Sequence, residues 1–254
     1  MPLEPTDFYR THLVQRHQRL LAHPITRAHL SGRDIRLDGV PLRADAHFNL
    51  PFGIFSTLEF THLFSVFDGS RVHRQAEKLP SSDGAPPGLY FTIVNHRVLE
   101  SRHKNRLGIY RRALPAVGDI GSAMHIDHYH LKTRHTPATL GAQAFTLCAI
   151  TAHLAGMDRI TLVAADGQAG MQRYVGARVW PKFGFDAPLQ DDETAGAGHL
   201  AGCSTVQDVM ARDETWWDRH GTQRFMAFDL TPNSVSWRKL LRYLDRKLFQ
   251  GNRP

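Results

Sequence analysis

Apolar and polar positions near the two ends of the chain follow the period of amphipathic helices. At the start, a helix is predicted over residues 7–21, which Thr6 can cap and Pro24 ends. Its outer face carries Arg10, Arg16 and Arg19. At the other end, Ser234 begins a predicted helix whose apolar stripe contains Trp237, Leu240, Leu241, Leu244 and Leu248. Both termini are therefore expected to pack an apolar stripe inward and expose a basic face.

The middle of the chain has the pattern of a sheet with one buried helix. A linker rich in proline and glycine spans residues 79–88, and strands are predicted after it at 89–101, 107–114 and 122–133. Residues 141–156 predict a helix that is apolar nearly all round and ends at Gly156. A buried strand is predicted at 158–166. This alternation favours an α/β fold in which the helix packs on a sheet.

The segment before the linker is less regular. Residues 49–67 are its most apolar part, and Pro51 and Gly53 indicate a turn that leads into a buried helix. Strand and helix are hard to separate over so short an apolar run. We therefore divide the chain by composition into an N-terminal extension, residues 1–85, a core, residues 86–190, and a C-terminal helical extension, residues 191–254.

Composition narrows the classes of partner. The chain has 254 residues, of which 42% are apolar and 22% charged. This composition excludes a chain that is disordered along its whole length. The chain has 31 lysine and arginine residues and 24 aspartate and glutamate residues, which gives a net charge of +7. This charge suits a polyanionic partner. Cys148 and Cys203 are too few for a disulfide framework or a cysteine-built zinc site, and we expect both to be reduced thiols.

Membrane and export signals are not evident in the sequence. No stretch approaches the roughly 18 apolar residues of a membrane span, and the first residues lack the apolar region of a signal peptide. A cytoplasmic location is therefore predicted, while delivery by a specialised secretion machine stays open.

The most informative junction is the entrance to the helix at residues 141–156. Gly141 follows a short loop after a predicted strand. A glycine there lets backbone amides approach an anion, and the helix dipole stabilises phosphate at that end. A tight turn without any ligand explains a single glycine equally well.

A resemblance to a known family starts from this junction. TLGAQAFTLCAITAHLAGMDRITLVAADG, residues 139–167, followed by VWPKFGFDAPL, residues 179–189, resembles the acetyl-CoA-binding core of the GNAT superfamily of N-acetyltransferases. The similarity covers about residues 90–190. It implies a GNAT-like fold with a mixed, mostly antiparallel sheet flanked by helices, to which N- and C-terminal helical additions are joined.

The resemblance also implies how acetyl-CoA is held. Gly141 takes the place of the first glycine of the pyrophosphate loop. The strand before the loop parts from its neighbour in this family, and its main-chain groups bind the pantetheine arm. The implied cofactor-binding residues are Leu131, Thr133, Arg134, Leu140, Gly141, Ala142, Gln143 and Ala144, with His135 as a second source of positive charge in the loop.

Three positions depart from the family pattern. Ala138 stands where glutamine or arginine is usual, and Gln143 stands at a position that is usually small. Trp180 stands where many members carry a tyrosine that protonates the departing thiolate, and an indole cannot perform this acid–base step. Tyr174 is the nearest replacement, although a structural role explains it as well.

The strand at 122–133 is rich in acid–base groups. Alternation predicts His125, Asp127, Tyr129 and Leu131 on one face, and Ile126, His128 and His130 on the other. The resemblance implies Asp127 as the general base, with His125 and Tyr129 as supporting groups. A structural ion pair between Asp127 and an arginine is the alternative.

A metal hydrolase is the rival interpretation of the same strand, because imidazole and carboxylate ligands bind Zn²⁺. The predicted alternation separates the three histidines, and we expect no metal. Motifs for other chemistries, G-x-S-x-G, the Walker loop and G-x-G-x-x-G, are not found in the sequence.

The sequence thus predicts an acyltransferase that moves an acetyl group from acetyl-CoA directly to an amine. The basic surface favours a macromolecular acceptor, protein or RNA, over a small molecule. Two alternatives stay open. The first is a non-catalytic GNAT-like binding module, because three positions depart from the family pattern: Ala138, Gln143 and Trp180. The second is a nucleic-acid-binding protein, because the two terminal helices are basic.

Overall fold

The computed structural model describes residues 3–81, 84–99, 104–114, 119–132, 136–166 and 175–249. Contacts divide the chain into two compact units. The first comprises residues 1–160 and 230–232, and the second comprises residues 161–229 and 233–254. The fold is a mixed α/β fold with a mostly antiparallel sheet, which confirms the predicted fold class. The division into three segments by composition stays a prediction.

The first unit contains most of the strands: β1 (Arg36–Leu37), β2 (Val40–Pro41), β3 (His47–Leu50), β4 (Gly53–Ser56), β5 (Arg71–Glu77), β6 (Gly88–Val94), β7 (Asn105–Leu114) and β8 (Asp119–His128). Within its sheet they lie in the order β8-β7-β6-β5-β1-β2, and β3 pairs with β4 in a separate hairpin. Only the contact between β1 and β5 is parallel among the pairs described in this unit.

The N-terminal helix is interrupted rather than continuous. A π-helical stretch, Tyr9–Leu13, precedes α1 (Val14–Ala22), and α2 (Pro24–His29) follows at once. Pro24 ends α1, as predicted, but it also opens α2, because a proline at the first helical position has no amide to lose.

The apolar segment before the linker forms the hairpin β3–β4 and then α3 (Thr57–Leu63), in agreement with the predicted turn and buried helix. Ser56 and Glu59 cap α3 reciprocally, since each side chain accepts from the other residue's backbone amide. Phe60 packs edge-on against Phe91 of β6, with ring centroids 5.0 Å apart. This face of the sheet is therefore covered by helix.

The predicted central helix is α4 (Leu140–Leu154), and Gly156 follows it with φ +72° in the left-handed region, as predicted. The Cys148 sulfur lies 3.4 Å from the Met124 sulfur of β8, so α4 packs on the sheet. Its opposite side meets the N-terminal segment, where the Thr6 hydroxyl lies 2.8 Å from His153 Nε2. Cover on both sides explains why the helix is apolar nearly all round.

The second unit begins within β9 (Arg159–Ala164), whose neighbour in this unit is β10 (Arg224–Asp229). Its helices are α5 (Gly176–Val179), α6 (Val206–Arg212), α7 (Glu214–His220) and α8 (Val235–Leu244), with 3-10 turns at Trp180–Phe183 and Gly198–Leu200 and a π-helical end at Asp245–Phe249. Ser234 caps α8, as predicted, and Trp237 packs edge-on against Phe228. Among the described helices, none is both long and apolar enough to cross a membrane.

Candidate functional site

The entrance to α4 presents unused backbone donors. Thr139 is the N-cap but provides no side-chain cap, and the first turn contains no acidic residue. The Leu140 amide donates to the Pro137 carbonyl, and the Gln143 amide donates to the Thr139 carbonyl. Between them, the amides of Gly141 and Ala142 have no acceptor within the described ranges. The positive end of a fifteen-residue helix is therefore not neutralised by described groups.

In the first turn of α4, Gly141 is partly exposed between buried neighbours. Leu140, Ala142 and Ala144 are buried, whereas Gly141 keeps partial exposure. A Cβ atom built on Gly141 would stand 3.1 Å from Leu131 Cδ1, so the glycine lets the chain after β8 pass close to the helix. The predicted binding residues Leu131 and Gly141 are thus brought together.

Gln143 does not face the mouth of this site. Its side chain is fully buried, and its carbonyl accepts from the Thr26 hydroxyl across 2.8 Å. Its amide donates to the Thr139 hydroxyl across 3.0 Å. Both ends of the side chain are therefore occupied within the protein, and neither of these hydrogen bonds involves the amides of Gly141 and Ala142.

The main-chain groups of Leu131 are directed away from the neighbouring segment at residues 98–99. Leu131 forms an isolated antiparallel bridge with Leu99, and the Lys132 amide donates to the Val98 carbonyl across 2.9 Å. In such a pair Leu131 occupies the non-hydrogen-bonded position, so its own N–H and C=O point away from the 98–99 segment. The pairing with the 98–99 segment therefore uses neither of these two groups.

A β-bulge at the end of β8 changes the predicted faces. Leu107 lies opposite Ile126 and Arg106 lies opposite His128, so Asp127 is an extra residue in β8. Gly108 lies opposite His125, which places His125 and His128 on the same face of the sheet as Arg106. The expectation that His125 and His128 lie on opposite faces is therefore wrong, because regular alternation ends at the bulge.

Asp127 is held in an ion-pair network. Arg106 Nη1 donates to Asp127 Oδ2 across 2.6 Å, and Arg106 Nη2 donates to Glu77 Oε1 across 2.7 Å. His128 Nδ1 lies 3.2 Å from the same Asp127 oxygen. Burial raises the pKa of Asp127, but hydrogen bonds from His128 and Arg106, together with their charges, outweigh it and hold that pKa at about 2.

Arg106 is itself fixed by a ring. Its guanidinium carbon lies 4.1 Å from the centroid of the buried Tyr90 ring, and the Tyr90 hydroxyl donates to the Pro86 carbonyl across 2.7 Å. The ring occupies the space over Gly108, the residue opposite it on β7. Sequence reasoning missed Glu77, Tyr90, Arg106 and Gly108, because only strand pairing brings them to Asp127.

Tyr129 is not beside Asp127. Its hydroxyl is buried, and burial raises its pKa well above the ordinary value, with Ser65 and Cys148 among the groups that act on it. Cys148 belongs to α4, so Tyr129 points to the helix-covered side of the sheet. The prediction that Tyr129 supports Asp127 from the same face is not met in this geometry, because the bulge reverses the alternation after Asp127.

The histidines of this segment do not form a metal site. His128 and His130 have ring centroids 6.3 Å apart, and the His130 amide donates to Asn105 Oδ1 across 2.7 Å. Over the ranges that the structure describes, no group of three or more histidine, cysteine, aspartate or glutamate side chains is placed to hold a metal ion.

The remaining predicted residues fall in other places. Thr133, Arg134, His135 and Tyr174 lie outside the described residues. Trp180 belongs to the second unit, where its ring packs edge-on against Phe185 with centroids 5.2 Å apart. Its aromatic contacts give the indole a packing role within that unit.

Comparison with known proteins finds no relative. No family model matches this chain, and no curated protein and no solved structure matches it. The arrangement of its own groups therefore carries the functional proposal. These groups are the Gly141 and Ala142 amides, which have no acceptor within the described ranges, the main chain at Leu131, which points away from Leu99, and the charged cluster at the bulge of β8.

Proposed function

We propose that this protein is an acetyl-CoA-dependent N-acetyltransferase that transfers the acetyl group directly to an amine acceptor. The observation that carries the proposal is the uncovered entrance to α4, where the Gly141 and Ala142 amides have no acceptor among the described residues. A helix end of this kind binds phosphate through its amides and its dipole.

The residues at this entrance fit a diphosphate. No acid lies in the first turn of α4 to repel it, and Gln143 is engaged with Thr26 and Thr139. The small residues Gly141 and Ala142 let the phosphates approach the backbone closely. The adenosine diphosphate part of acetyl-CoA would be held here, mainly by backbone groups, which require no particular side chain.

The pantetheine arm of acetyl-CoA would follow the chain that leads away from α4. Leu131 touches Gly141 and directs its own N–H and C=O away from Leu99. An amide-bearing arm can pair with these groups as a strand would. This path leads back toward His128 and the bulge of β8, where acid–base groups are concentrated.

The acceptor is proposed to be an amine on a protein or an RNA. Acetyl transfer needs the neutral amine, and therefore a group that accepts its proton. The cluster of Asp127, His128 and Arg106 contains such groups close to the path of the arm. The net charge of +7 supports a macromolecule with acidic surroundings as the carrier of this amine.

Calorimetry with two matched ligands tests the binding step. Coenzyme A should bind with a Kd well below millimolar, and pantetheine, which lacks the diphosphate, should bind at least ten-fold more weakly. Equal affinities would show that the α4 entrance does not bind the diphosphate.

Thiol release tests the transfer step. Acetyl-CoA is incubated with amine-bearing peptides or with RNA, and the free thiol is measured. Tight coenzyme A binding without any thiol release would instead indicate a non-catalytic binding module.

A further inference from the structure

We propose that His128 is the catalytic proton acceptor for the amine and that Asp127 is a positioning residue that orients its imidazole; this rests on the proposed transferase activity. The pair stands where the bulge of β8 places two successive side chains on one face. The resemblance implied Asp127 itself as the base, whereas the geometry assigns the two residues different tasks.

Exposure separates the two side chains. The Asp127 side chain is 7% exposed, and its Oδ2 atom is contacted by both Arg106 and His128. The His128 side chain is 48% exposed. A substrate amine can therefore reach the imidazole but meets little of the carboxylate.

Proton affinity favours the same assignment. A carboxylate that accepts from a guanidinium at 2.6 Å is a weak base, because protonation would break that contact. Imidazole ordinarily titrates close to neutral pH, where a general base is most effective. The ionised Asp127 also fixes the tautomer of His128: a carboxylate only accepts hydrogen bonds, so His128 Nδ1 carries the proton, and the other ring nitrogen is the basic one.

Charged groups of both signs lie next to His128. The guanidinium of Arg106 is shared by the carboxylates of Asp127 and Glu77, which leaves one excess negative charge in the cluster. An imidazolium at His128 balances this charge. Of the other titratable groups near it that the structure describes, His130 has its ring centroid 6.3 Å away, and His125 lies on the same face of the sheet.

Position along the chain connects His128 to the α4 entrance. Leu131 lies three positions after it, and the Leu131 side chain lies close to Gly141. An extended chain covers about 10 Å over three residues. The imidazole is thus placed beside the start of the path proposed for the pantetheine arm.

The proposed step balances as follows. The amine nitrogen attacks the thioester carbonyl carbon, so a C–N bond forms and the C–S bond breaks. One proton leaves the amine nitrogen for the His128 imidazole. The imidazolium then loses that proton, and the thiolate sulfur gains one through solvent, so that the products are an amide and a free thiol.

The variant His128→Gln should lose activity but keep its affinity for coenzyme A. We expect kcat/KM for thiol release to fall about 100-fold or more, as for the loss of a general base, with coenzyme A affinity unchanged. His73→Gln is the matched control, because His73 is an exposed histidine on the same face of the sheet, and it should retain wild-type kcat/KM. Added imidazole should partly restore His128→Ala.

A second measurement does not depend on turnover. In Asp127→Asn, the NMR titration midpoint of the His128 ring should move to lower pH by about one unit, because the variant removes a negative charge beside the imidazolium. The acid limb of its kcat/KM profile should move by the same amount. If Asp127 supported only the fold, Asp127→Asn would lower the free energy of unfolding, and the acid limb of the kcat/KM profile would not follow the midpoint of the His128 ring.

The outcomes distinguish this assignment from the proposed function. Full kcat/KM in a folded His128→Gln, while the wild type releases thiol, overturns the assignment and leaves the transferase proposal standing. A wild type that binds coenzyme A but releases no thiol with any amine overturns the transferase, and the assignment with it. Unchanged midpoints in Asp127→Asn overturn the positioning role of Asp127.

Discussion

The Thr26 hydroxyl donates to the side-chain carbonyl of Gln143 across 2.8 Å, in the buried contact between α2 and α4. This hydrogen bond joins residues 117 positions apart in the chain. It engages the only polar side chain in the first turn and a half of α4, next to the amides of Gly141 and Ala142, which have no acceptor among the residues that the structure describes. The N-terminal helices thereby help to keep the proposed phosphate site open.

A double-mutant cycle should show that this contact is a matched buried pair. Thr26→Val leaves the Gln143 carbonyl unsatisfied and should lower the free energy of unfolding by about 1–3 kcal/mol. Gln143→Leu removes the other partner. The double variant should be less destabilised than the sum of the single variants, because neither partner of the buried 26–143 hydrogen bond is then left unpaired. Urea unfolding measures all four proteins, and additive effects would contradict the pairing.

Charge at residue 138 should tune the affinity for coenzyme A. Ala138 is exposed and directly precedes the N-cap of α4. Ala138→Glu should weaken coenzyme A binding about two- to five-fold and Ala138→Arg should strengthen it similarly, the range expected for one charge at a helix end. Both differences should shrink as salt is raised.

The control for this charge pair is the same two substitutions at Ala211, an exposed alanine of α6. They alter the net charge equally but lie far along the chain from the α4 entrance. Calorimetry should show no more than a small effect there. Equal effects at both positions would mean that coenzyme A responds to net charge and not to the helix end.

The sequence predicts α4 well because its signals are local. A fifteen-residue segment that is apolar nearly all round and a glycine after it suffice to define a helix and its end. The buried Gln143 shows where local reasoning ends. The sequence shows only that it is larger than the residue usual at this position in the family that the chain resembles, and only the packing of α2 shows that its side-chain carbonyl accepts from Thr26.

The end of β8 could not be predicted for a related reason. An extra residue in a strand is defined by the partner strand, and nothing within residues 122–133 reveals that Asp127 is unmatched by β7. One inserted residue exchanges the faces of every later side chain. That exchange moves Tyr129 to the α4 side and brings His128 to the face of Arg106.

Gly108 should be required for the position of the charged cluster. A Cβ atom at this residue would overlap the Tyr90 ring, which is buried and anchored through its hydroxyl to Pro86. Gly108→Ala should lower the free energy of unfolding by about 1–3 kcal/mol, as for an overpacked core. It should also lower kcat/KM, because Arg106 rests on the displaced ring.

The control for this glycine is Gly198→Ala, where a Cβ atom meets open space and should change stability by no more than about 0.5 kcal/mol. Combining Gly108→Ala with Tyr90→Leu should recover part of the stability, since the smaller side chain leaves room for the methyl group. A Gly108→Ala protein as stable as wild type would show that the ring is free to move.

His62 should make the stability of the protein depend on pH below 6.5. Burial, followed by the charge of His17, lowers the pKa of His62 to about 4, although its hydrogen bond to the Leu30 carbonyl opposes this shift. Its folded-state pKa lies below the value of about 6.5 in the unfolded chain, so the unfolded state gains a proton first. The contribution of His62 to the free energy of unfolding is therefore fully present above pH 6.5, and it should fall by about 3 kcal/mol between pH 6.5 and 4.

The test is His62→Gln, which keeps a donor for Leu30. Urea unfolding of this variant should show a shallower fall over the same pH range, whereas the exposed His96→Gln should follow the wild type. The same slope in His62→Gln and wild type would mean that other groups control the acid sensitivity.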